Sequence, residues 1–396
     1  MQGSEIIIPT WYWVVFIFAV GGCVGSFLNV VVYRIPRDKS LVSPPSLCPA
    51  CGRHIRFYDN IPLVSWVLLG GKCRNCKARI SPRYFVIELL TGLVFVSMYA
   101  LYFRSGLRSG VPDFLSGGWF LYLSSLILLS SLIAASAIDL EMWIIPLSIC
   151  WFATAAGLLC STLAAFAISP ATIRHYFLTP TTADLIIVNQ TTIASLTAGA
   201  VVGLGLSLFF LATGLIKRSY DLPDADKLPQ DGKQKADELN DRVEVCREIL
   251  FLLPIIAGAI SAYWLFNRNE TLNQWWLTFT QRPVIEGLLG SLSGYFVGCA
   301  IVWLTRIFGT LAFGREAMGL GDVHLMGAAG AVIGPLFVII AFFIAPFFGL
   351  AWAGVQMFFK KIRQIPYGPF LSAGILAVMI LHDKIMAYLS GVFFYG

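Results

Sequence analysis

Leu126-Ile127-Leu128-Leu129-Ser130-Ser131-Leu132-Ile133-Ala134-Ala135-Ser136-Ala137-Ile138 runs without a charge and ends on Asp139. A helix on the surface of a soluble protein keeps a charged or polar face opposite its apolar stripe, and this stretch has only serines to offer. Extended back to Trp119 it reaches the ~20 residues that cross a hydrocarbon core of ~30 Å. Runs of the same kind recur near 11–33, 84–103, 119–138, 144–168, 193–216, 249–267, 284–305, 323–340, 342–359 and 367–391. The fold class read from them is all-α, a polytopic transmembrane helix bundle of about 8–10 spans. Val323 to Phe359 is too long for one helix, so a break is expected at Pro335 or Pro346.

Composition agrees with that reading. The chain of 396 residues is 57% hydrophobic and 13% charged, against about 25% charged in a soluble domain. So little charge cannot cover a water-soluble body of this size. The first run, Trp11 to Val32, follows an N-terminus without Lys or Arg and lacks a small-residue cleavage site, so it is expected to be a retained span.

The net charge of +6 is read as topology. Lys and Arg gather in 34–83, in 217–248 and at Lys360, Lys361 and Arg363, and the ten-span count puts all three on one side, the cytoplasmic one. No nucleic-acid partner is expected; membrane lipid is. The same count places Asp139 and Asp322 at the cytoplasmic ends of their spans. The expected organisation is a first span over 1–33, a cytoplasmic four-cysteine domain over 34–83, and a transmembrane region over 84–168. An insertion with two extra spans and a polar segment covers 169–283, and a C-terminal transmembrane region covers 284–396. Residues 217–248, rich in Asp, Lys and Gln, are expected to form a linker or a short helix.

Two constellations carry chemistry. Cys48-Pro-Ala-Cys51 and Cys73-Arg-Asn-Cys76 are paired CxxC knuckles in one basic loop, a pattern that lets four thiolates converge on a tetrahedral ion, usually zinc. Two disulfides or metal-free thiols are the alternatives, and a cytoplasmic loop disfavours the disulfides. Cys23, Cys150, Cys160 and Cys299 lie in apolar runs and read as packing residues. The second constellation is Asp139 with Asp322, the latter closing Gly319-Leu320-Gly321-Asp322. Taken singly, Asp139 could be an interfacial acid and Asp322 a helix cap. Taken together, they could divide the general-base and general-acid roles of peptide hydrolysis, with the glycines admitting a substrate backbone. No Ser/His/Asp or HExxH arrangement is present. A transporter using intramembrane acids and a zinc-bearing membrane scaffold are the competing readings.

The motifs in order carry a resemblance. Gly25-Ser26-Phe27-Leu28-Asn29-Val30-Val31-Val32-Tyr33-Arg34-Ile35-Pro36, Cys48-Pro-Ala-Cys51, Asp59-Asn60-Ile61-Pro62-Leu63-Val64-Ser65-Trp66, Gly71-Lys72-Cys73-Arg74-Asn75-Cys76 and Ser81-Pro82-Arg83-Tyr84, ending near Glu88, resemble the N-terminal signatures of bacterial prepilin peptidases. Ile138-Asp139, Gly319-Leu320-Gly321-Asp322 and Ile365-Pro366-Tyr367-Gly368-Pro369-Phe370 continue the likeness, which covers roughly 20–168 and 284–392. The resemblance implies a membrane aspartic endopeptidase of the GxGD type in the bacterial inner membrane, with Asp139 and Asp322 catalytic. Its implied substrates are type IV prepilins and type II secretion pseudopilins, cut at the cytoplasmic face. It also implies N-methylation of the new terminus from S-adenosylmethionine. Gly71 and Lys72 are the candidate residues for that donor, although no Gly-rich nucleotide fingerprint accompanies them. His324 stands where the family usually has lysine.

Overall fold

The computed structural model describes residues 10–106, 108, 111, 113–168, 190–216, 241–314, 316–358 and 366–394. In chain order the helices are α1 (Thr10–Arg34), α2 (Val64–Leu68), α3 (Pro82–Phe103), α4 (Gly118–Met142), α5 (Leu147–Ala167) and α6 (Gln190–Ala212). They continue with α7 (Asp241–Arg268), α8 (Glu270–Thr280), α9 (Pro283–Phe313), α10 (Leu320–Ile333), α11 (Pro335–Phe358) and α12 (Gly368–Phe394). Nine of these described helices are long and apolar enough to cross a membrane. The chain is a multi-pass, all-helical protein, and it divides into two compact units: residues 1–153 with 344–385, and 154–343 with 386–396.

In the first unit α1 lies against α3. A Cβ at Gly21 would sit 2.8 Å from the Gly92 Cα, and one at Gly25 would sit 2.7 Å from the Glu88 Cα. Lipid gives apolar helices no hydrophobic reason to associate, so small residues that let backbones meet supply the packing instead. Asn29 Nδ2 donates to the Tyr84 carbonyl at 3.1 Å and closes the same seam. Leu28, Val31, Val32, Ile87, Ala134, Ile138 and Ile149 then form one buried cluster from α1, α3, α4 and α5. That cluster is the floor on which the last turn of α4 rests.

The second unit repeats the device. A Cβ at Gly199 would lie 2.2 Å from the Gly258 carbonyl oxygen and one at Gly203 2.2 Å from the Pro254 carbonyl oxygen, so α6 and α7 touch backbone to backbone. Ser207 Oγ, one turn on, donates to the Phe251 carbonyl at 2.7 Å. Gly294 and Gly330 face each other in the same way between α9 and α10, each Cβ 2.0 Å from the other's carbonyl oxygen. Ser291 Oγ donates to the Ala331 carbonyl at 2.6 Å. α8 is an eleven-residue helix absent from the sequence expectation, capped by Asn269 and carrying the stacked rings of Trp275, Trp276 and Phe279.

The expected span over 323–340 takes a different form. α10 has 14 residues, about 21 Å at 1.5 Å per residue, less than a full crossing. It stops at Gly334 (φ 85°), and Pro335 begins α11, whereas Pro346 sits inside α11. Pro335 opens a helix because its missing N–H would have been unbonded there in any case. The polar segment expected over 217–248 lies outside the described residues up to 240, and 241–248 form the first turns of α7.

Candidate functional site

Asp139 occupies the last turn of α4 and is 5% exposed. Its Oδ2 accepts the main-chain N–H of Gly368 at 3.0 Å, and Gly368 is the first residue of α12. A helix N-terminus offers unbonded N–H groups and the positive end of its dipole, so it suits a carboxylate. Only glycine fits at 368, because a Cβ there would lie 2.6 Å from Asp139 Oδ2 and 3.0 Å from Ile145 Cδ1. Ser136 Oγ donates to Ser372 Oγ at 2.9 Å and fixes α4 against α12 one turn from the acid. Arg83 pairs with Glu141 at the same end of α4.

Asp322 is the third residue of α10, 8% exposed, and its Oδ2 accepts the N–H of Gly319 at 3.3 Å, the side-chain half of a capping box. The helix beneath it is held through Gly298, whose Cβ would be 2.2 Å from the Met326 carbonyl oxygen. His324 Nδ1 and Tyr295 Oη lie 3.1 Å apart between α10 and α9.

Residues not singled out in the sequence hold the approach to Asp322. Arg306, in α9, is 2% exposed. Its Nε donates to Glu248 Oε1 at 2.7 Å, and its Nη1 donates to Glu316 Oε1 and to the Met318 carbonyl. Trp303 Nε1 donates to Glu248 Oε2 at 3.1 Å. A guanidinium stays charged even when buried among apolar helices, so such partners are needed to offset the cost of its burial. It thereby clamps the strand of chain that enters Gly319. The signal was present in the sequence, an arginine inside the run Ile301-Val302-Trp303-Leu304-Thr305-Arg306-Ile307.

The four cysteines converge. The Sγ atoms of Cys48, Cys51, Cys73 and Cys76 all lie within 4.8 Å of one another, an arrangement that could hold a metal ion, and Cys48 and Cys76 are 3.8 Å apart. The two knuckles are built alike. Cys48 N donates to the Arg53 carbonyl and Gly52 N to the Cys48 carbonyl; Cys73 N donates to the Ala78 carbonyl and Lys77 N to the Cys73 carbonyl. The residue after each second cysteine has positive φ, Gly52 at 67° and Lys77 at 58°. N–H donation from Cys76 and Asn75 brings the Cys73 thiol down to about 6. Cys76 also receives the Ala78 N–H, yet burial and the neighbouring thiols push it up to about 11. Arg74 forms a bidentate pair with Asp59, which holds that carboxyl below its ordinary range and ties the second knuckle to the turn Phe57–Asn60. Gly71 has φ 64°, and a Cβ there would meet the Trp66 ring at 3.0 Å; Lys72 is exposed. Gly71 closes the turn that leads into the second knuckle.

Residues 19–102 match the family model of the bacterial peptidase A24 N-terminal domain, and residues 248–354 match that of the type IV leader peptidase family. The four cysteines lie in the first match and Asp322 in the second, while Asp139 falls outside both. The chain is 42% identical to a prepilin leader peptidase/N-methyltransferase of Myxococcus xanthus, over 38% of this chain and 40% of the relative. It is 41% identical to a type 4 prepilin-like proteins leader peptide-processing enzyme of Escherichia coli, over 32% of this chain and 49% of the relative. A prepilin leader peptidase/N-methyltransferase of Klebsiella pneumoniae is 40% identical, over 34% of this chain and 55% of the relative. The chain thus spans about half the length of the curated relatives it matches. No solved structure matches it.

Proposed function

We propose, for a chain that carries both the bacterial peptidase A24 N-terminal domain and a type IV leader peptidase match, that it removes leader peptides from type IV prepilins and type II secretion pseudopilins. The observation that carries the reading is the pair of buried carboxylates at helix ends, Asp139 and Asp322, each with Oδ2 held by a glycine N–H. Peptide hydrolysis by two aspartates needs one ionised, to take a proton from water, and one protonated, to give a proton to the leaving amine. The N–H to each Oδ2 orients that carboxyl. Arg306 and Gly368 act as positioning residues, the first through Met318 and the second through Asp139. Cleavage would occur at the cytoplasmic face of the inner membrane, where the basic clusters put both helix ends.

Zinc suits the four cysteines. Ligands at about 2.3 Å in a tetrahedron lie about 3.8 Å from one another, the separation of Cys48 and Cys76. With four thiolates and no open position the ion would be structural, tying together a loop that has little apolar core. The segment 169–283 is taken as an insertion whose polar part faces the cytoplasm. The relatives' names join leader removal to N-methylation, for which S-adenosylmethionine is the methyl donor, and we extend that second activity to this chain. Gly71 and Lys72, at the turn into the second knuckle, are the candidate residues for that donor.

Co-expression with a prepilin and mass analysis of the product's N-terminus tests both activities. Leader loss with an added methyl group supports the full reading, and leader loss alone supports the peptidase without the methyltransferase. An uncut precursor beside correctly inserted enzyme overturns the proposal.

A further inference from the structure

The loop 34–83 is rich in Lys and Arg, yet Asn60-Ile61-Pro62-Leu63-Val64-Ser65-Trp66-Val67-Leu68-Leu69-Gly70-Gly71 carries no charge at all. Its place along the neighbouring spans is informative. On α1, the aromatic residues Trp11, Tyr12 and Trp13 mark one membrane boundary and Arg34 the other, and Trp13 to Val32 spans about 30 Å. Gly22 lies about 18 Å along that helix from Arg34, near the middle of the crossing. Pro62 is in contact there, its Cβ 3.5 Å from where a Cβ of Gly22 would be. On α3, Glu88 lies about 9 Å in from Pro82, and its Oε2 accepts the Leu63 N–H at 2.7 Å. The Trp66 ring meets that of Phe85, also inside α3, at 5.0 Å.

A chain that turns back to this depth must satisfy its own backbone, since hydrocarbon offers no partners. This one does so. Ser65 Oγ takes the Ile61 N–H and donates to the Tyr58 carbonyl; the Glu88 carboxylate takes the Leu63 N–H. Val64, Ser65, Val67, Leu69, Gly70 and Gly71 donate to carbonyls within the segment. On the outer side Ile61, Val64, Val67 and Leu68 are 48%, 50%, 60% and 79% exposed. In water four such side chains around a five-residue helix would be a liability. At the level of Gly22 and Glu88 they meet lipid.

We propose that Asn60–Gly71 is a re-entrant segment, dipping from the four-cysteine knuckles into the adjacent bilayer leaflet with Val64, Val67 and Leu68 against acyl chains. Its occupant is lipid. The absence of charge, the contact depth on two spans and the bonded N–H groups together point to hydrocarbon. The inference does not depend on the peptidase reading. Glu88 is the anchor, and the four-cysteine knuckles stand on a base inserted in the membrane, which fixes their height above the bilayer.

Site-directed spin labels test it in the full chain, reconstituted in phosphatidylcholine/phosphatidylglycerol vesicles, with Cys23 and Cys246 replaced by alanine. Labels are placed at Val64→Cys and Leu68→Cys, with Lys39→Cys as the aqueous control. The expected result is that oxygen relaxes the labels at 64 and 68 more than a water-soluble nickel chelate does, with the order reversed at 39. Both test positions are exposed, so labelling leaves the packing intact, and a monodisperse elution profile checks this. Nickel access at 64 and 68 equal to that at 39 would place the segment in water and overturn the proposal. Exclusion of both reagents would mean that protein, a second copy or a partner helix, covers the face, and would overturn the lipid assignment.

Discussion

Asp139 and Asp322 are held by the same bond in two different ways. Each offers Oδ2 to a glycine N–H, but for Asp322 the glycine is three residues away in its own capping box, whereas for Asp139 it is Gly368, at the start of a different helix 229 residues along the chain. One carboxylate is placed by local geometry and the other by the packing of α4 against α12. The difference teaches where the site is fragile. A capping box re-forms whenever α10 forms, while the Gly368 bond requires two spans distant in sequence to meet in register.

The largest expected effect is on both sides of the comparison at once. Asp139→Asn and Asp322→Asn should each lower leader removal by at least about 10³-fold, since the amide can neither accept nor give the proton. Both variants should insert and elute as the parent does. Substantial cleavage by either one, measured as mature product against precursor, would break the pairing. Metal loss comes next. Cys48→Ser with Cys73→Ser should take bound zinc from about one ion per chain to near none, read by metal analysis, and should make 34–83 sensitive to protease. Retention of the ion would dismiss the four-thiolate site.

The two glycines then separate the mechanisms of positioning. Gly368→Ala drives a methyl group to 2.6 Å from Asp139 Oδ2, so the carboxyl must move, and turnover should fall by about 10²-fold with substrate affinity little changed. Gly319→Ala meets nothing closer than Asp322 Oδ2 at 3.5 Å and sits at φ −72°, where alanine is unstrained. It should leave the fold and the Asp322 carboxyl in place, so that a fall in turnover there, smaller than at 368, would report lost room for a substrate backbone. Equal losses in both would remove the contrast. The smallest effect belongs to the knuckles. Lys77 holds the left-handed conformation that Gly52 holds in the other knuckle, so Lys77→Gly should leave the protein as stable or stabilise it by about 1 kcal/mol. A clear drop in melting temperature would show that the lysine side chain matters more than its backbone.

The contrast between the acids also explains what could be read in advance. Asp322 announced itself through the glycines beside it and the apolar helix after it, because a cap is a local arrangement. Asp139 was conspicuous only as an acid after a long uncharged run, and the family models matched here do not extend to it. Arg306 has no local signature of its role, because its partners come from two separate stretches, Glu248 in α7 and Glu316 with the Met318 carbonyl just after α9. In the sequence Glu88 is only the end of a motif, and its work of receiving the Leu63 N–H appears only when the loop folds back. The break after Ile333 was expected at one of two prolines, and position decided between them. Pro335 stands next to Gly334, which can take φ 85°, whereas Pro346 lies within an unbroken helix.

By itself, the sequence determined that this is a many-span helical membrane protein, since long uncharged runs have no other stable solvent than lipid. It also determined two CxxC knuckles, because that spacing closes each one locally; that the two meet, with all four Sγ atoms within 4.8 Å, was decided by the tertiary structure. The tertiary structure decided which backbone groups each buried charge would satisfy, where α10 stops short of a full span, and how deep Asn60–Gly71 turns back beside α1 and α3. Those outcomes depend on close approach at Gly21, Gly25, Gly294 and Gly368. A glycine states only that an approach is possible; which backbone arrives there is settled by the fold.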